Sequence, residues 1–228
     1  MSSDAPPKTL AASRVKSADY YDSVRAEIFP LVDPRGKRIL DVGCGSGATG
    51  KVLKAQGALE VIGLELDPNA ARRAVEVLDQ VLVGDVTQLD LNFPPGHFDI
   101  ILCLDVLEHL PYPEDALRRL VPLLSSEGRF IVSLPNMRYV GSLKKLIWEA
   151  DWPREPSGVF DGTHLRWFTA KSARRLFQEV GLRVVQMRRN PLHVVGKLLR
   201  VLPFLRPFVS DWLTVQFLFA VKKRQTAP

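Results

Sequence analysis

Cysteine and long apolar runs are both scarce in this 228-residue sequence. Its only two cysteines are Cys44 and Cys103, too few for a disulfide scaffold and typical of a reducing compartment. No segment holds the roughly 18 unbroken apolar residues of a membrane-spanning helix. The N-terminus lacks the apolar core of a secretory signal, so residues 1–16 are predicted to be a disordered lead and the protein to be cytoplasmic. The spacing of His and Cys indicates no zinc site, and no metal is expected.

Composition and charge are those of a globular protein with a basic C-terminal part. Hydrophobic residues make up 46% and charged residues 25% of the chain, and the length favours a single domain, residues 17–228. The net charge is +6, and from Arg183 onward nine Lys and Arg face one acid. This asymmetry favours an anionic partner or surface, although a solvated basic rim explains it equally well.

Short apolar runs alternate with helical patterns between residues 38 and 134. The runs are apolar on nearly every residue, which is typical of strands buried on both faces of a parallel sheet. The alternation predicts a doubly wound, Rossmann-like α/β sheet with helices on both faces. The predicted strands are Arg38–Val42, Glu60–Glu65, Gln80–Gly84, Phe98–Leu104 and Arg129–Leu134, and the helices between them are Gly47–Gln56, Asn69–Leu78 and Tyr112–Leu124.

Further elements are predicted on both sides of this core. A helix with an apolar stripe precedes it, and the Trp- and Pro-rich segment 135–168 is expected to form an irregular cap. A helix that Thr169 caps and two late strands follow. The bounds predicted for these elements are Ala18–Leu31, Ala170–Val180, Leu182–Met187 and Thr214–Val221.

Residues 190–212 form a predicted insertion between the two late strands. Within it, Leu192–Leu202 has the pattern of a helix with one basic and one apolar face, and apolar residues continue to 209. Such a helix can lie on an anionic membrane, so peripheral membrane contact is predicted for residues 192–209. A homodimer interface, or packing on the chain's own sheet, is an equal alternative.

The sharpest motif is ILDVGCGSGATG at residues 39–50, in which a predicted strand runs into Gly43, Gly45 and Gly47 and then into a helix. Glycines let a chain turn tightly and approach a ligand closely, and the helix N-terminus beyond offers N–H groups to it. The loop also satisfies the dinucleotide-binding pattern GxGxxG, so an NAD-dependent oxidoreductase is an alternative.

Three carboxylates bear on the choice between these cofactors. Asp41 precedes the loop, Glu65 ends the second predicted strand, and Asp85 follows the third. Glu65 can accept hydrogen bonds from the ribose hydroxyls of either cofactor, and Asp85 can accept one from an adenine amino group. Asp41, however, would repel a pyrophosphate and suit a cationic amino-acid group. The set therefore favours S-adenosylmethionine (SAM), a sulfonium, over NAD.

These motifs resemble those of the class I SAM-dependent methyltransferases. DVGCGSG at 41–47 is similar to that family's first motif, and GLELDP, GDV and CLDVLEHL (103–110) are similar to its next three. The resemblance implies seven strands with an antiparallel last strand. It places the three loop glycines around the methionine part of SAM, Glu65 on the ribose and Asp85 on the adenine, and it lines the cleft with Asp105 and Val106.

A second, shorter resemblance concerns the acceptor. DGTHLRWFT at 161–169 is similar to a segment of small-molecule methyltransferases that resemble ubiquinone-biosynthesis enzymes, some of whose relatives sit among glycan-building enzymes. The expected acceptor is a small molecule, a glycan or a lipid-linked intermediate, methylated on a hydroxyl oxygen. Methylation of a carbon or nitrogen atom is an alternative, because it would need the same cofactor site. A nucleic-acid acceptor is disfavoured because basic and aromatic residues do not interleave, and a SAM-binding protein without catalysis is another alternative.

Methyl transfer is an in-line displacement, so alignment in a site with little water is the enzyme's main task. A base that removes the hydroxyl proton adds to the rate, and a neutral imidazole suits that role near pH 7. His164 is the predicted base, with Asp161 orienting it, and His109 is a second candidate that can also be a capping residue. The predicted contacts to the acceptor are Arg166, Asn136 and Trp152.

Overall fold

The computed structural model describes residues 21–191 and 210–224. One sheet of seven strands runs through them in the order β3-β2-β1-β4-β5-β7-β6. Strands β1 to β5 are mutually parallel, and β7 lies antiparallel between β5 and β6. The strands are β1 (Arg38–Val42), β2 (Glu60–Glu65), β3 (Gln80–Val83), β4 (Phe98–Leu104), β5 (Leu124–Pro135), β6 (Leu182–Pro191) and β7 (Thr214–Lys223).

Five α-helices and three short 3₁₀ helices accompany the sheet in the described residues. The α-helices are α1 (Ala48–Ala55), α2 (Pro68–Ala74), α3 (Pro113–Leu120), α4 (Val140–Ile147) and α5 (Ala170–Glu179). The 3₁₀ helices are Ala26–Leu31, Leu107–His109 and Val121–Leu123. The predicted doubly wound α/β sheet and its antiparallel last strand are confirmed.

The central strands are buried on both faces. Ile39 belongs to one apolar cluster and its neighbour Leu40 to the other, as expected for a sheet between two layers of helices. Because β1 to β5 are parallel, their carboxyl ends meet at one edge of the sheet, where ligands bind in open α/β folds.

Several predicted bounds differ from the structure. Strand β5 begins at Leu124, five residues before the predicted start, because Leu124 pairs with Phe98 before a bulge. Strand β6 continues to Pro191, beyond the predicted end at Met187. Helix α3 stops at Leu120, since Pro122 has no N–H to donate, and a 3₁₀ turn follows.

The predicted continuous helix Ala18–Leu31 is wrong for its described part. Tyr21 is helical, residues 22–25 are not, and Ala26–Leu31 forms a separate 3₁₀ helix of about two turns. The carbonyl oxygen of Tyr21 accepts hydrogen bonds from the backbone N–H and the hydroxyl of Ser46 at 3.0 and 2.9 Å. These contacts tie the segment around Tyr21 to the glycine loop.

The segment 135–168 contains one regular element, helix α4, which the sequence did not predict. Backbone bridges close the segment at Asn136–Phe168 and at Glu155–Asp161. The N–H groups of Leu165 and Arg166 donate to the carbonyl oxygen of Glu108 at 2.8 and 3.0 Å, which holds the segment against the loop after β4. The predicted lead 1–16 and the predicted helix Leu192–Leu202 lie outside the described residues.

Candidate active site

The loop after β1 needs glycine at the predicted positions. Gly43, Gly45 and Gly47 all have positive φ, at 73°, 57° and 81°, a region that side chains disfavour. A Cβ on Gly45 would lie 2.7 Å from the carbonyl oxygen of Tyr21, and one on Gly43 would lie 2.7 Å from Cγ2 of Val106. The backbone is thus closely packed on both sides, and α1 begins directly after the loop.

Glu65 fixes the glycine loop from the end of β2. Its Oε2 accepts a hydrogen bond from the N–H of Gly45 at 2.8 Å, and its Oε1 accepts one from the N–H of Asp67 at 2.9 Å. The side chain is buried. Each carboxylate oxygen has a second lone pair, so this arrangement can still accept ribose hydroxyls.

Asp41 is buried at the end of β1, with 3% of its surface exposed. Burial, and then the neighbouring carboxylate of Glu65, raise the pKa of Asp41 to about 7, while Arg25 opposes the shift. Burial favours the neutral acid and a nearby cation favours the anion. A cationic ligand in this crevice would therefore shift Asp41 towards its ionised form.

Asp105 holds a network that the sequence did not reveal. Its Oδ2 pairs with Nη1 of Arg25 at 2.6 Å, and its Oδ1 accepts from the hydroxyl of Ser133 and the amide of Gln216, both at 2.6 Å. Arg25 also pairs with Glu27 at 2.6 Å. The φ of Asp105 is +56°, a strained value that neighbouring contacts must hold in place. No local motif marks Arg25, which lies 80 residues from Asp105 in sequence.

Asp85 follows β3 in the position that the motif predicted. Its Oδ1 accepts hydrogen bonds from the backbone N–H and the hydroxyl of Thr87, at 2.8 and 2.7 Å. These bonds fix the orientation of the carboxylate on the turn, at the same sheet edge as Glu65.

Glu108 lies three residues after Asp105 and is almost fully buried, with 1% exposed. Within the described part of the chain, its Oε2 has no hydrogen-bond partner. Burial, and then the charge of Asp105, raise the pKa of Glu108 well above its usual value. A buried polar atom without a partner is costly and calls for an explanation.

The structure brings the two predicted histidines together. The ring centroids of His109 and His164 are 4.8 Å apart. Nδ1 of His109 lies 3.2 Å from the carbonyl oxygen and 3.1 Å from the hydroxyl of Thr163, and Nδ1 of His164 lies 3.2 Å from the carbonyl oxygen of Val159. The Thr163 hydroxyl donates to Oδ1 of Asp161 at 2.7 Å, so Asp161 is linked to His109 through Thr163.

A cavity of about 240 Å³ opens beside His164. The ring of Trp152 meets those of Phe160 and Trp167 edge-to-face, with centroids 5.4 and 5.0 Å apart. The side chains that line the cavity include Trp152, Arg154, Phe160, Asp161, His164 and Trp167.

The other two predicted acceptor residues lie elsewhere. Asn136 is fully buried; its amide donates to the carbonyl oxygens of Asp211 and Thr214, and its Oδ1 accepts from the N–H of Arg138. The side-chain N–H groups and Oδ1 of Asn136 are thus used in hydrogen bonds that hold the junction of β5 and β7. Arg166 is exposed, and its Nε donates to the carbonyl oxygen of Pro111 at 2.7 Å.

Comparison with known proteins agrees with this geometry. A methyltransferase domain family matches residues 14–187, most of the chain. The chain belongs to this family.

Two curated relatives are both named ubiquinone biosynthesis O-methyltransferase. The one from Aeromonas salmonicida is 29% identical over 161 residues, which cover 67% of this chain and 65% of the relative, slightly under two thirds of its length. The one from Neisseria meningitidis is 27% identical over 202 residues, covering 83% and 79%.

Solved structures share the fold at low identity. A SAM-dependent methyltransferase from Archaeoglobus fulgidus has a TM-score of 0.67 at 16% identity and covers 91% of this chain and 95% of its own. Magnesium protoporphyrin IX methyltransferase from Synechocystis, with bound S-adenosylhomocysteine (SAH), has a TM-score of 0.59 at 19% identity, covering 90% and 83%. The predicted enzyme class, a methyltransferase, and the predicted cofactor, SAM, are confirmed. Among the described residues, no helix combines the length and the apolar character needed to cross a bilayer.

Proposed function

We propose that this chain transfers the methyl group of SAM to a hydroxyl oxygen of a small-molecule acceptor. One observation carries the proposal. The segment that follows β4 begins with Asp105 in the predicted cofactor crevice and ends at His109, whose ring contacts His164 on the wall of the cavity. Cofactor and acceptor would thus meet at one sheet edge, on either side of a short stretch of chain.

The proposed cofactor contacts are those of the crevice. Gly43, Gly45 and Gly47 surround the methionine part, and Asp41 lies where a cationic group of SAM would offset its burial. Asp105 and Val106 line the cleft. Glu65 takes the ribose hydroxyls and Asp85 the adenine amino group, each held in place by backbone donors.

The proposed acceptor contacts lie on the segment 135–168. His164 is the proposed general base, Asp161 acts through Thr163 on the neighbouring His109, and Trp152 supplies a flat apolar wall. Arg166 would have to give up its bond to Pro111 to hold an anionic group. The proposal leaves out Asn136, because its side-chain bonds are already used within the fold.

The names of the relatives indicate which acceptors to test first. Because two relatives are named for ubiquinone biosynthesis, hydroxyl-bearing intermediates of that pathway are the first acceptors to test on this chain. Glycan- and lipid-linked hydroxyl compounds are the other expected acceptors. The predicted membrane contact of residues 192–209 and the homodimer interface stay predictions, since those residues lie outside the described part.

The direct test is transfer of a labelled methyl group from SAM to these acceptors, with SAM affinity measured by calorimetry. Glu65→Ala should weaken SAM binding by roughly tenfold or more, because two charge-assisted hydrogen bonds are lost. Asp90→Ala, an exposed change in the connection between β3 and β4, is the control. Unchanged SAM affinity in Glu65→Ala would refute the assignment.

A second variant tests the acceptor side. His164→Ala should lower turnover by roughly 10²–10⁴-fold while SAM affinity stays constant. His97→Ala is the matched control, since it removes another partly buried histidine, which contacts Glu60 and lies just before the start of β4. Equal turnover in both variants would remove His164 from the reaction.

A further inference from the structure

The cavity beside His164 contains a cation that the sequence did not single out. Arg154 lines it together with the aromatic side chains of Trp152, Phe160 and Trp167. We propose that Arg154 binds an oxyanion of the acceptor, a carboxylate or a phosphate, while the aromatic side chains hold a flat part of the same molecule. The inference rests on the proposed function, because it names the class of acceptor that the same site takes.

The backbone around Arg154 fixes its position. The next residue, Glu155, forms a bridge with Asp161. The N–H of Glu155 donates to the carbonyl oxygen of Phe160, and its carbonyl oxygen accepts from the N–H of Gly162, both at 2.9 Å. Nη2 of Arg154 donates to the carbonyl oxygen of Gly162 at 3.2 Å, and a Cβ on Gly162 would lie 3.7 Å from Nε of Arg154. The guanidinium therefore packs directly against the backbone of this glycine.

The guanidinium of Arg154 has hydrogen-bonding capacity to spare. It carries five N–H donors, and within the described part of the chain one of its groups, Nη2, donates to Gly162. No carboxylate of the described residues forms an ion pair with Arg154, whereas the neighbouring Glu155 is paired with Lys145. The planar fork of a guanidinium matches two oxygens of a carboxylate or a phosphate. An oxyanion in the cavity would thus meet a cation that has no anionic partner in the described fold.

The charges around the cavity favour an anionic ligand over a cationic one. Among the described residues that line it, Asp161 is the one acid. Its Oδ1 accepts hydrogen bonds from the N–H and the hydroxyl of Thr163, at 2.9 and 2.7 Å, which stabilise its charge. A cationic ligand would be repelled by Arg154, whose charge no described carboxylate offsets. An anionic ligand would gain that charge and would face only a carboxylate that already has donors.

The aromatic side chains and the volume of the cavity indicate the rest of the ligand. Trp152 is 48% and Trp167 41% exposed, and their rings meet edge-to-face with centroids 5.0 Å apart. Large apolar side chains that lie together in contact with solvent often mark a binding site. An apolar cavity of about 150 Å³ binds one benzene molecule. The cavity of about 240 Å³ therefore suits one substituted ring, and the rest of a longer acceptor would extend into solvent.

This assignment distinguishes acceptors that the proposed function treats as equal. A hydroxyl-bearing ring with a carboxylate or phosphate should be preferred to a neutral compound of the same shape. The preference should depend on Arg154 and not on Arg166, because Nε of Arg166 already donates to the carbonyl oxygen of Pro111 at 2.7 Å. Arg154 is thus a residue that determines specificity on the acceptor side of the site.

The test measures binding to the full chain loaded with SAH, so it does not depend on turnover. The probes are para-hydroxyphenylacetate, its neutral amide, the cation tyramine, and phenyl phosphate as a second oxyanion, each titrated by calorimetry. We expect at least one of the two anions to bind roughly tenfold or more tightly than the amide and tyramine.

Three variants assign the two parts of the site. Arg154→Met should remove the preference for the anion and leave the affinity for the amide unchanged, and Arg154→Lys should retain part of the preference. Trp152→Leu should weaken the binding of anion and amide alike, by roughly threefold or more. Arg118→Met, at an exposed arginine of α3, is the matched control and should bind all probes as the wild type does. Circular dichroism checks that each variant is folded.

The outcomes separate this inference from the proposed function. If an anion is preferred and Arg154→Met, but not Arg118→Met, removes the preference, the inference stands. If the amide or tyramine binds as tightly as the anions, if the preference survives in Arg154→Met, or if no probe binds at millimolar concentration, it is overturned. Equal methylation of neutral and anionic hydroxyl acceptors would overturn it too, while the proposed function stands. If anions bind through Arg154 and no hydroxyl acceptor is methylated, the proposed function fails and the anion site stands.

Discussion

Replacing Asp41 by Asn should stabilise the ligand-free protein at alkaline pH and weaken its binding of SAM. The side chain is buried beside Glu65, and its pKa is raised to about 7 from an ordinary value of 3.8. A group whose pKa is raised on folding contributes stability below its unfolded pKa, and that contribution is lost as the pH rises through the folded value. The free energy of unfolding of the wild type therefore falls as the pH rises from about 4 to 7. That of the Asn variant does not fall for this reason, because its side chain does not ionise.

The size of the effect follows from the two pKa values. The full difference corresponds to about 4 kcal/mol at high pH, of which about 3 kcal/mol develops between pH 5 and 8. These figures are upper values because Glu65 and Arg25 respond to the same charge. The difference in unfolding free energy between variant and wild type should grow with pH up to about 7 and then level off.

Urea unfolding at pH 5, 6, 7 and 8 measures this difference directly. The exposed change Asp90→Asn is the control and should give a flat difference. SAM titrations in buffers of different ionisation enthalpy should show proton release near pH 7 in the wild type, because the cationic ligand favours ionised Asp41, and none from this group in Asp41→Asn. A stability difference that is independent of pH would refute the reasoning.

Other expected outcomes concern the glycine loop, the buried arginine and a helix cap. Gly45→Ala should lower the free energy of unfolding by about 1–3 kcal/mol and weaken SAM binding, because the new Cβ would meet the Tyr21 carbonyl oxygen. Gly36 has a similar φ but open space around it, so Gly36→Ala should cost less in the same unfolding experiments. Arg25→Lys should raise the dissociation constant for SAM, since one ammonium cannot span both carboxylate partners of Arg25; equal calorimetric affinities would contradict this. Thr169→Ala should remove the capping box of α5 and lower stability by about 1 kcal/mol without changing SAM affinity, and a loss of that affinity would show that the helix supports the crevice.

The sheet could be predicted from the sequence because its strands carry their signal locally. β1, β2 and β4 have the predicted bounds, since a parallel strand that is buried on both faces is apolar at almost every position. The predicted start of β5 was too late, because the strand's first residues, such as Ser125 and Glu127, are polar and exposed to different degrees. Leu124 starts the strand by pairing with Phe98 of β4 before a bulge, and no local pattern reveals that pairing.

The features that the sequence missed depend on contacts between distant residues. The stripe of Tyr21 and Ile28 predicted one continuous helix, but the carbonyl oxygen of Tyr21 accepts a hydrogen bond from the hydroxyl of Ser46 in the glycine loop. Glu108 and His109 were visible as a motif, yet nothing in the motif shows that His164 returns to them. Such placements require the tertiary fold, because each residue's own neighbours in sequence are compatible with other roles.

The choice between SAM and a dinucleotide has a structural reason beyond net charge. In a dinucleotide-binding loop, backbone N–H groups of the glycine turn and the helix N-terminus face a pyrophosphate. Here the N–H of Gly45 donates to the carboxylate of Glu65 at 2.8 Å, and Asp41 lies buried beside that carboxylate. A pyrophosphate would have to displace Glu65 from its donor and then lie next to two carboxyl groups, whereas a sulfonium with an ammonium group leaves that bond intact and favours the ionised form of Asp41. The loop's hydrogen bonding thus selects against the dinucleotide even though its glycine spacing permits one.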